Sequence, residues 1–376
     1  MTDNQPRGPA PLGSSVPPAN ADDQVRPDVR ALDGYSTGEQ QPGFIKLNTN
    51  ECAYPPSPRV REALTPISDD ALRLYPDPTS RRLREVAAAR FSVRPDQIIA
   101  GNGSDDCLTI IYRTFLAHGD SVCCPWPSYG LYDTLAGIQG SNIFHVGYKR
   151  SAADWELPRE LAGSGARLTL VANPNNPSST LTPVAELRRL AESLAGILVV
   201  DEAYVDFALG VDPDASILPH LDAHPNVIVL RSFSKSYSLA GARLGLLFAA
   251  EPLVAEMNKV KDSYNVNVIT QALGSAALQD REYHAQIIGR TLQEKARLET
   301  ELAALGWTWP AARGNFLLCE VGPGAGAIVR SLRDARILVR YWDTAELRTS
   351  VRVTIGSAEQ NTALLTALGK LAASPP

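Results

Sequence analysis

Three short clusters hold most of the chemical potential of this chain: N-P-N-N-P (173–177), D-E-A-Y (201–204) and R-S-F-S-K (231–235). Each follows an apolar run, at 167–172, 197–200 and 227–230. Such runs read as strands of a doubly covered parallel sheet. In an open α/β sheet, ligands gather at the carboxyl ends of the strands. An amide, an acid, a phenol and an amine at three successive strand ends therefore predict one shared site. Lys235 is the amine, and a fixed amine can act as a nucleophile toward a carbonyl. A carbonyl cofactor built on a pyridine ring needs a carboxylate to keep its ring nitrogen protonated, and Asp201 can supply it. Tyr204 and Asn176 can donate to an oxygen on that ring, and Tyr129 can lie against its face. G-N-G-S (101–104) opens a helix, so the backbone at Gly103 and Ser104 offers N–H groups and a helix dipole to a phosphate. Ser232, Ser234 and Arg243 can add charge-assisted hydrogen bonds there.

The elements that must position these residues alternate along the chain. Strands are expected at 97–100, at 121–124 (ended by Pro125) and at 142–146, besides the three runs above. Helices are expected at 105–117 and 183–194, the second capped by Thr182 with Pro183 in its first turn. The pattern changes after a long helix at 285–305 that stops at Gly306. Strands at 315–320 and 350–355 flank a helix at 325–335, which suggests a smaller α+β domain. The segment 44–47 either pairs with that domain or crosses to a partner. The expected fold class is α/β, with a mostly parallel sheet in a large domain and a smaller second domain.

The division expected is a disordered tail at 1–24, an N-terminal arm and part of the small domain at 25–69, a large domain at 70–285 and the small domain at 286–376. The tail is rich in Pro, Ala, Asn and Ser and has no apolar core, so it does not read as a secretory signal. The chain has 376 residues, 44% hydrophobic and 20% charged, with a net charge of -5. That mildly acidic balance gives nucleic acid no basic footprint, and no apolar stretch reaches spanning length. Five cysteines in a long chain read as reduced thiols, and neither a disulfide framework nor a metal site is expected. The expected location is the cytoplasm. Ser232-Phe-Ser-Lys235 also fits the S-x-x-K pattern of serine acyltransferring enzymes, but S-D-N and K-T-G, which that chemistry requires, do not occur.

On longer motifs the sequence resembles the fold type I pyridoxal 5'-phosphate (PLP) aminotransferases of class II. Within them it is most similar to the histidinol-phosphate aminotransferases. The motifs are R-P-D-V-R-A-L-D-G-Y (26–35), K-L-N-T-N-E (46–51), L-Y-P-D-P (74–78), G-N-G-S-D-D (101–106), P-S-Y-G-L-Y (127–132), N-P-N-N-P (173–177), V-V-D-E-A-Y-V-D-F (199–207), S-F-S-K-S-Y-S-L-A-G-A-R-L-G (232–245) and V-R-V-T-I-G (351–356). The resemblance implies a seven-stranded sheet and PLP on Lys235, which also shuttles the substrate proton. It implies Asp201 at the pyridine nitrogen, Tyr204 and Asn176 at the ring oxygen and Tyr129 stacked on the ring. Gly103, Ser104, Asp105, Ser232, Ser234 and Arg243 would surround the phosphate, with Tyr75 reaching the cofactor of a partner subunit. Tyr54, Arg340 and Arg352 would bind substrate. The implied activity is ping-pong transamination between histidinol phosphate and 2-oxoglutarate, in histidine biosynthesis, by a homodimer with shared active sites. An aromatic amino acid aminotransferase is the nearest alternative, and a non-catalytic PLP- or amino-acid-binding regulator a remote one. Two departures stand out. Cys52-Ala53 replaces the usual Asn-Pro of the arm, and Pro177-Ser-Ser-Thr180 stands where P-T-G is usual after the double Asn, losing a turn glycine.

Overall fold

A computed structural model describes residues 20–35 and 37–373. Most of the tail expected at 1–24 lies outside the described residues, while Ala21–Gln24 forms a single 3-10 turn.

Seven strands make the central sheet, in the order Ile98–Gly101, Gly245–Ala249, Val227–Ser232, Ile197–Asp201, Leu168–Ala172, Ser121–Trp126 and Asn142–Gly147. All neighbouring pairs are parallel except the two made by Gly245–Ala249, which runs antiparallel to both its neighbours. The three strands that end at the polar clusters lie side by side. Leu168, Leu170 and Val171 are fully buried, as are Leu198, Val199, Val200 and Val227 to Leu230. Such uninterrupted burial is what helices on both faces of a sheet require, and it explains the continuous apolar runs. Two separate apolar clusters cover the two faces.

No strand is expected from the sequence at Gly245–Ala249, where only Gly245 belongs to a motif named above. The strand expected at 121–124 runs on to Trp126. Pairing of that strand with Leu168–Ala172 stops at Cys123–Thr169, whereas pairing with Asn142–Gly147 continues to Trp126. Pro125 is thus accommodated where one side of the ladder has already ended. Thr182 does not cap the following helix. The helix is Val184–Ser193, its N-cap is Pro183, and the Thr182 backbone is held by the Asn173 side chain.

The C-terminal part has its own core, in which Leu298 and Leu302 of the Arg281–Ala304 helix pack with Leu317, Cys319, Val351 and Val353. Phe316–Glu320 pairs antiparallel with Ser350–Thr354. Ile45–Leu47 pairs in parallel with Ile337–Val339, so the arm strand adds to this part of the same chain.

A charged cluster is buried beneath the site. Arg231 lies 2.9 Å from Glu202 and 2.8 Å from Asp206, and all three side chains are almost fully covered. Burial lifts the Glu202 pKa despite its arginine neighbour. Burial acts the same way on Asp206, but His284, Arg231 and Ser236 outweigh it and hold that carboxyl well below its ordinary value. Breaking a buried pair strands a charge, whereas an exposed pair is worth little. Arg231→Met is therefore expected to lose about 3–5 kcal/mol in chemical denaturation. Lys259→Met, which breaks the exposed Lys259–Glu256 pair, is expected to lose less than about 1 kcal/mol. Equal losses would show that burial does not govern the cluster.

Candidate active site

A cavity of about 730 Å³ opens at the carboxyl ends of the central strands, between the sheet and the C-terminal part. Its walls include Ser104, Asp105, Tyr129, Asn176, Asp201, Tyr204, Ser232, Ser234, Lys235, Arg243, Arg340 and Arg352. Twelve of the positions singled out in the sequence thus meet in one space.

Lys235 follows directly on the Val227–Ser232 strand, and its Nζ donates to the Thr49 carbonyl at 3.0 Å. The same nitrogen lies 5.4 Å from the centre of the Tyr204 ring. The loop behind it is tied to the buried charged cluster, since Ser236 Oγ donates to Asp206 Oδ2 at 2.5 Å.

Asp201 ends its strand with its carboxylate facing the cavity. It accepts from Tyr132 Oη at 3.1 Å and from the Ala203 N–H at 3.1 Å. Among the described residues, no lysine, arginine or histidine lies within ion-pair distance. Burial accordingly pushes its pKa up to about 6, against those two hydrogen bonds. A buried carboxylate without a cation is costly and calls for one.

A third corner suits a phosphate. Ser104–Phe115 is a helix whose apolar residues, including Cys107, Leu108, Ile110 and Ile111, face the sheet, leaving its N-terminus at the cavity. Gly103 precedes it at φ +91°, and a Cβ there would sit 2.5 Å from the Arg243 guanidinium. Only glycine permits both that backbone and that approach. Arg243 is itself held at φ +51°. Its guanidinium lies 3.1 Å from Asp105 and 3.5 Å from Ser234 Oγ. Two hydroxyl-bearing loops, a helix N-terminus and a guanidinium thus converge.

On the C-terminal side, Arg352 is buried. Its Nη1 donates to Asn176 Oδ1 at 2.5 Å and its Nη2 to the Asn48 carbonyl at 2.7 Å. Its Nε has no hydrogen-bond partner, and burial brings its pKa down to about 10. Arg340 is bridged to Arg352 through the backbone, and both guanidiniums lie over Trp342 at 5.2 and 5.3 Å.

Two positions lie elsewhere. Tyr75 is 80% exposed and stacks on Tyr264 with ring centres 4.4 Å apart. Tyr54 lies beneath Arg290, 3.9 Å from its guanidinium, and does not line the cavity.

Sequence reasoning passed over Tyr35, Trp126, Tyr132 and Trp342. Tyr35 and Trp126 line the cavity, and Tyr35 meets Tyr129 edge-to-face at 5.6 Å. Tyr132 could have been found, since it belongs to the same P-S-Y-G-L-Y motif as Tyr129, whose ring it meets edge-to-face at 5.6 Å. Of the two departures from the usual motifs, Ser179 adopts φ +67° where the turn glycine is missing. Its Oγ accepts from the Gly314 N–H at 2.8 Å and its carbonyl from the Arg313 N–H at 2.7 Å. The bonds to Gly314 and Arg313 offset the strain of that backbone.

The family model for aminotransferase class I and II matches residues 42–368. Histidinol-phosphate aminotransferase 1 of Trichormus variabilis is 38% identical over 92% of this chain and 98% of its own length. The histidinol-phosphate aminotransferase of Rhodopirellula baltica is 38% identical over 90% of this chain and 92% of its own. Among solved structures, histidinol-phosphate aminotransferase from Sinorhizobium meliloti, in complex with pyridoxal-5'-phosphate, superposes with a TM-score of 0.85 at 27% identity, covering 94% of this chain and 98% of that one. The donor set fits PLP on grounds independent of these likenesses: an amine for its aldehyde, an unpaired buried carboxylate for its ring nitrogen and a basic helix terminus for its phosphate. With that fit and a match over nearly its whole length, the chain belongs to the aminotransferase class I and II family, whose cofactor is PLP.

Proposed function

We propose that this enzyme transfers the amino group of histidinol phosphate to 2-oxoglutarate by a ping-pong cycle. The observation that carries the reading is one cavity holding Lys235, the cation-free Asp201 and the paired Arg340 and Arg352. The names of the full-length relatives support the same substrate.

Bound PLP supplies an electron sink for the charge that develops at the substrate Cα. The residues do the rest. Asp201 holds a proton on the pyridine nitrogen. Ser104, Ser232, Ser234, Arg243 and the helix N-terminus grip the phosphate, and Gly103 leaves room for Arg243. Tyr129 lies against the ring face, while Tyr204 and Asn176 donate to the ring oxygen. With its Oδ1 engaged by Arg352, Asn176 has its Nδ2 left for that role. Lys235 Nζ would take the proton from the substrate Cα and deliver it across the substrate nitrogen, so that one amine serves as both base and acid. Arg352 and Arg340 bind the anionic end, which is a phosphate in one half-reaction and a carboxylate in the other. Trp342 and Trp126, both on the cavity wall, help exclude water.

An exposed apolar group of Leu72, Leu74, Tyr75 and Tyr264 supports the homodimer, with Tyr75 directed to the partner's cofactor. The separate C-terminal core supports the domain division given above. A cytoplasmic location fits the five cysteines, all free. Among the described residues, no helix is long and apolar enough to cross a membrane.

The aromatic wall of Tyr35, Trp126, Tyr129 and Trp342 favours a second reading, as an aromatic amino acid aminotransferase. Steady-state rates with 2-oxoglutarate separate the two. A dianionic phosphate paired with two arginines is expected to give histidinol phosphate a kcat/KM about 10- to 100-fold above that of phenylalanine. A preference for phenylalanine would reverse the assignment.

A further inference from the structure

We infer that Asn50 is a positioning residue that aims the Tyr204 hydroxyl proton at the cofactor's ring oxygen. The inference rests on the PLP reading of the cavity. Asn50 does not line the cavity and is 1% exposed. Its backbone lies at φ +55°, in the left-handed region that asparagine tolerates better than most residues. Three contacts fix it to the C-terminal part. Its N–H donates to Thr354 Oγ1 at 3.0 Å, its carbonyl accepts from Asn315 Nδ2 at 3.1 Å, and its Oδ1 accepts from Thr354 Oγ1 at 3.0 Å. The fourth crosses to the large domain, where Nδ2 donates to Tyr204 Oη at 3.1 Å.

The order of donors sets the direction of one proton. Thr354 Oγ1 accepts the Asn50 N–H, and among the described residues the acceptor that its own hydrogen finds is Asn50 Oδ1. Rotating the amide by half a turn would face that hydrogen with an NH2 group and leave it without an acceptor. Nδ2 must then be the group facing Tyr204, and it can only donate. Tyr204 Oη therefore accepts from Asn50 and keeps its own hydrogen for another partner. Tyr204 lines the cavity beside Lys235, so that hydrogen is directed to the ring oxygen of bound PLP. Accepting a hydrogen bond also polarises the phenol and makes it a stronger donor.

A donor on the ring oxygen competes with the Lys235 linkage nitrogen for that oxygen. It thereby lowers the pH at which the linkage loses its proton, a change seen in the visible absorbance of the holoenzyme. Tyr204→Phe is expected to raise that midpoint. Asn50→Ala is expected to raise it by a smaller amount, and Asn50→Asp by about as much as Tyr204→Phe, because a carboxylate oxygen would draw the phenol hydrogen away. In a Tyr204→Phe background, Asn50→Ala and Asn50→Asp should then have little further effect. The surrounding carboxylates of Glu51, Asp105 and Asp201 and guanidiniums of Arg243, Arg340 and Arg352 are common to every variant.

The measurement is a spectrophotometric pH titration of each PLP-loaded variant, with PLP dissociation constants as a second readout. Equal shifts from Asn50→Ala or Asn50→Asp with and without Tyr204 would overturn the inference, since a purely structural or charge effect does not depend on the phenol. So would an unchanged midpoint in Asn50→Ala alongside a raised one in Tyr204→Phe. Absence of any visible PLP band in the unsubstituted protein would instead overturn the underlying PLP reading.

Discussion

Lys235→Ala is expected to lower kcat/KM at least about 10³-fold and to remove the visible band that the lysine-linked cofactor gives. General acid–base catalysis by a positioned group contributes about 10²- to 10⁴-fold, and loss of the covalent anchor adds to that. The size of the effect follows from the absence of a substitute. Among the described residues, Lys235 is the one lysine on the cavity wall. The next basic groups there are the guanidiniums of Arg243, Arg340 and Arg352, which do not give up protons near neutral pH. Thr49 supports the amine only through its carbonyl, and Tyr204 only through its ring face. PLP should still bind, because Asp201 and the phosphate corner remain. Stopped-flow absorbance and steady-state assay of the same preparation check both halves. Retention of full activity would show that the proton is moved by some other group.

The parts of the site carried by strand ends were legible in the sequence because burial on both sides leaves a continuous apolar run that stops abruptly. That is how 167–172, 197–200 and 227–230 pointed to Asn176, Asp201 and Lys235. The parts set by long-range pairing were not legible. Gly245–Ala249 is apolar like its neighbours, but nothing local reveals that it enters the sheet antiparallel between two distant strands. Tyr35 meets Tyr129 only because the arm folds back across the cavity. Asn50 looked like one letter of a motif until Thr354 and Tyr204, some 300 and 150 residues away, supplied its partners. Tyr54 and Tyr75 show the opposite limit. Both were assigned by resemblance, and both lie off the cavity within one chain, Tyr75 on an exposed apolar surface.

Asp201→Asn separates what a buried acid costs the protein from what it does for the cofactor. Burial raises the Asp201 pKa from its ordinary 3.8 to about 6 in the cofactor-free fold. A carboxyl with a raised folded pKa imposes no penalty below pH 3.8. The penalty grows as the pH climbs toward 6 and is complete above it, at about 3 kcal/mol on the order of 1.4 kcal/mol per unit. At pH 8 the cofactor-free Asn variant is therefore expected to be at least as stable as the parent, while at pH 4 the advantage disappears. Partial loss of the Tyr132 hydrogen bond works against this gain, since an amide offers one acceptor where the carboxylate offers two. PLP reverses the comparison. On the proposed placement its protonated ring nitrogen would be the cation the carboxylate lacks, so the parent is expected to be stabilised by binding and the variant much less. Catalysis falls further, by about 10²- to 10³-fold in kcat, because a neutral amide cannot keep the ring cationic as charge arrives from the substrate Cα. Thermal unfolding of both proteins at pH 4 and pH 8, with and without PLP, tests the linkage, and steady-state rates test the chemistry. A variant that gains as much stability from PLP as the parent does would mean that Asp201 does not face the ring nitrogen.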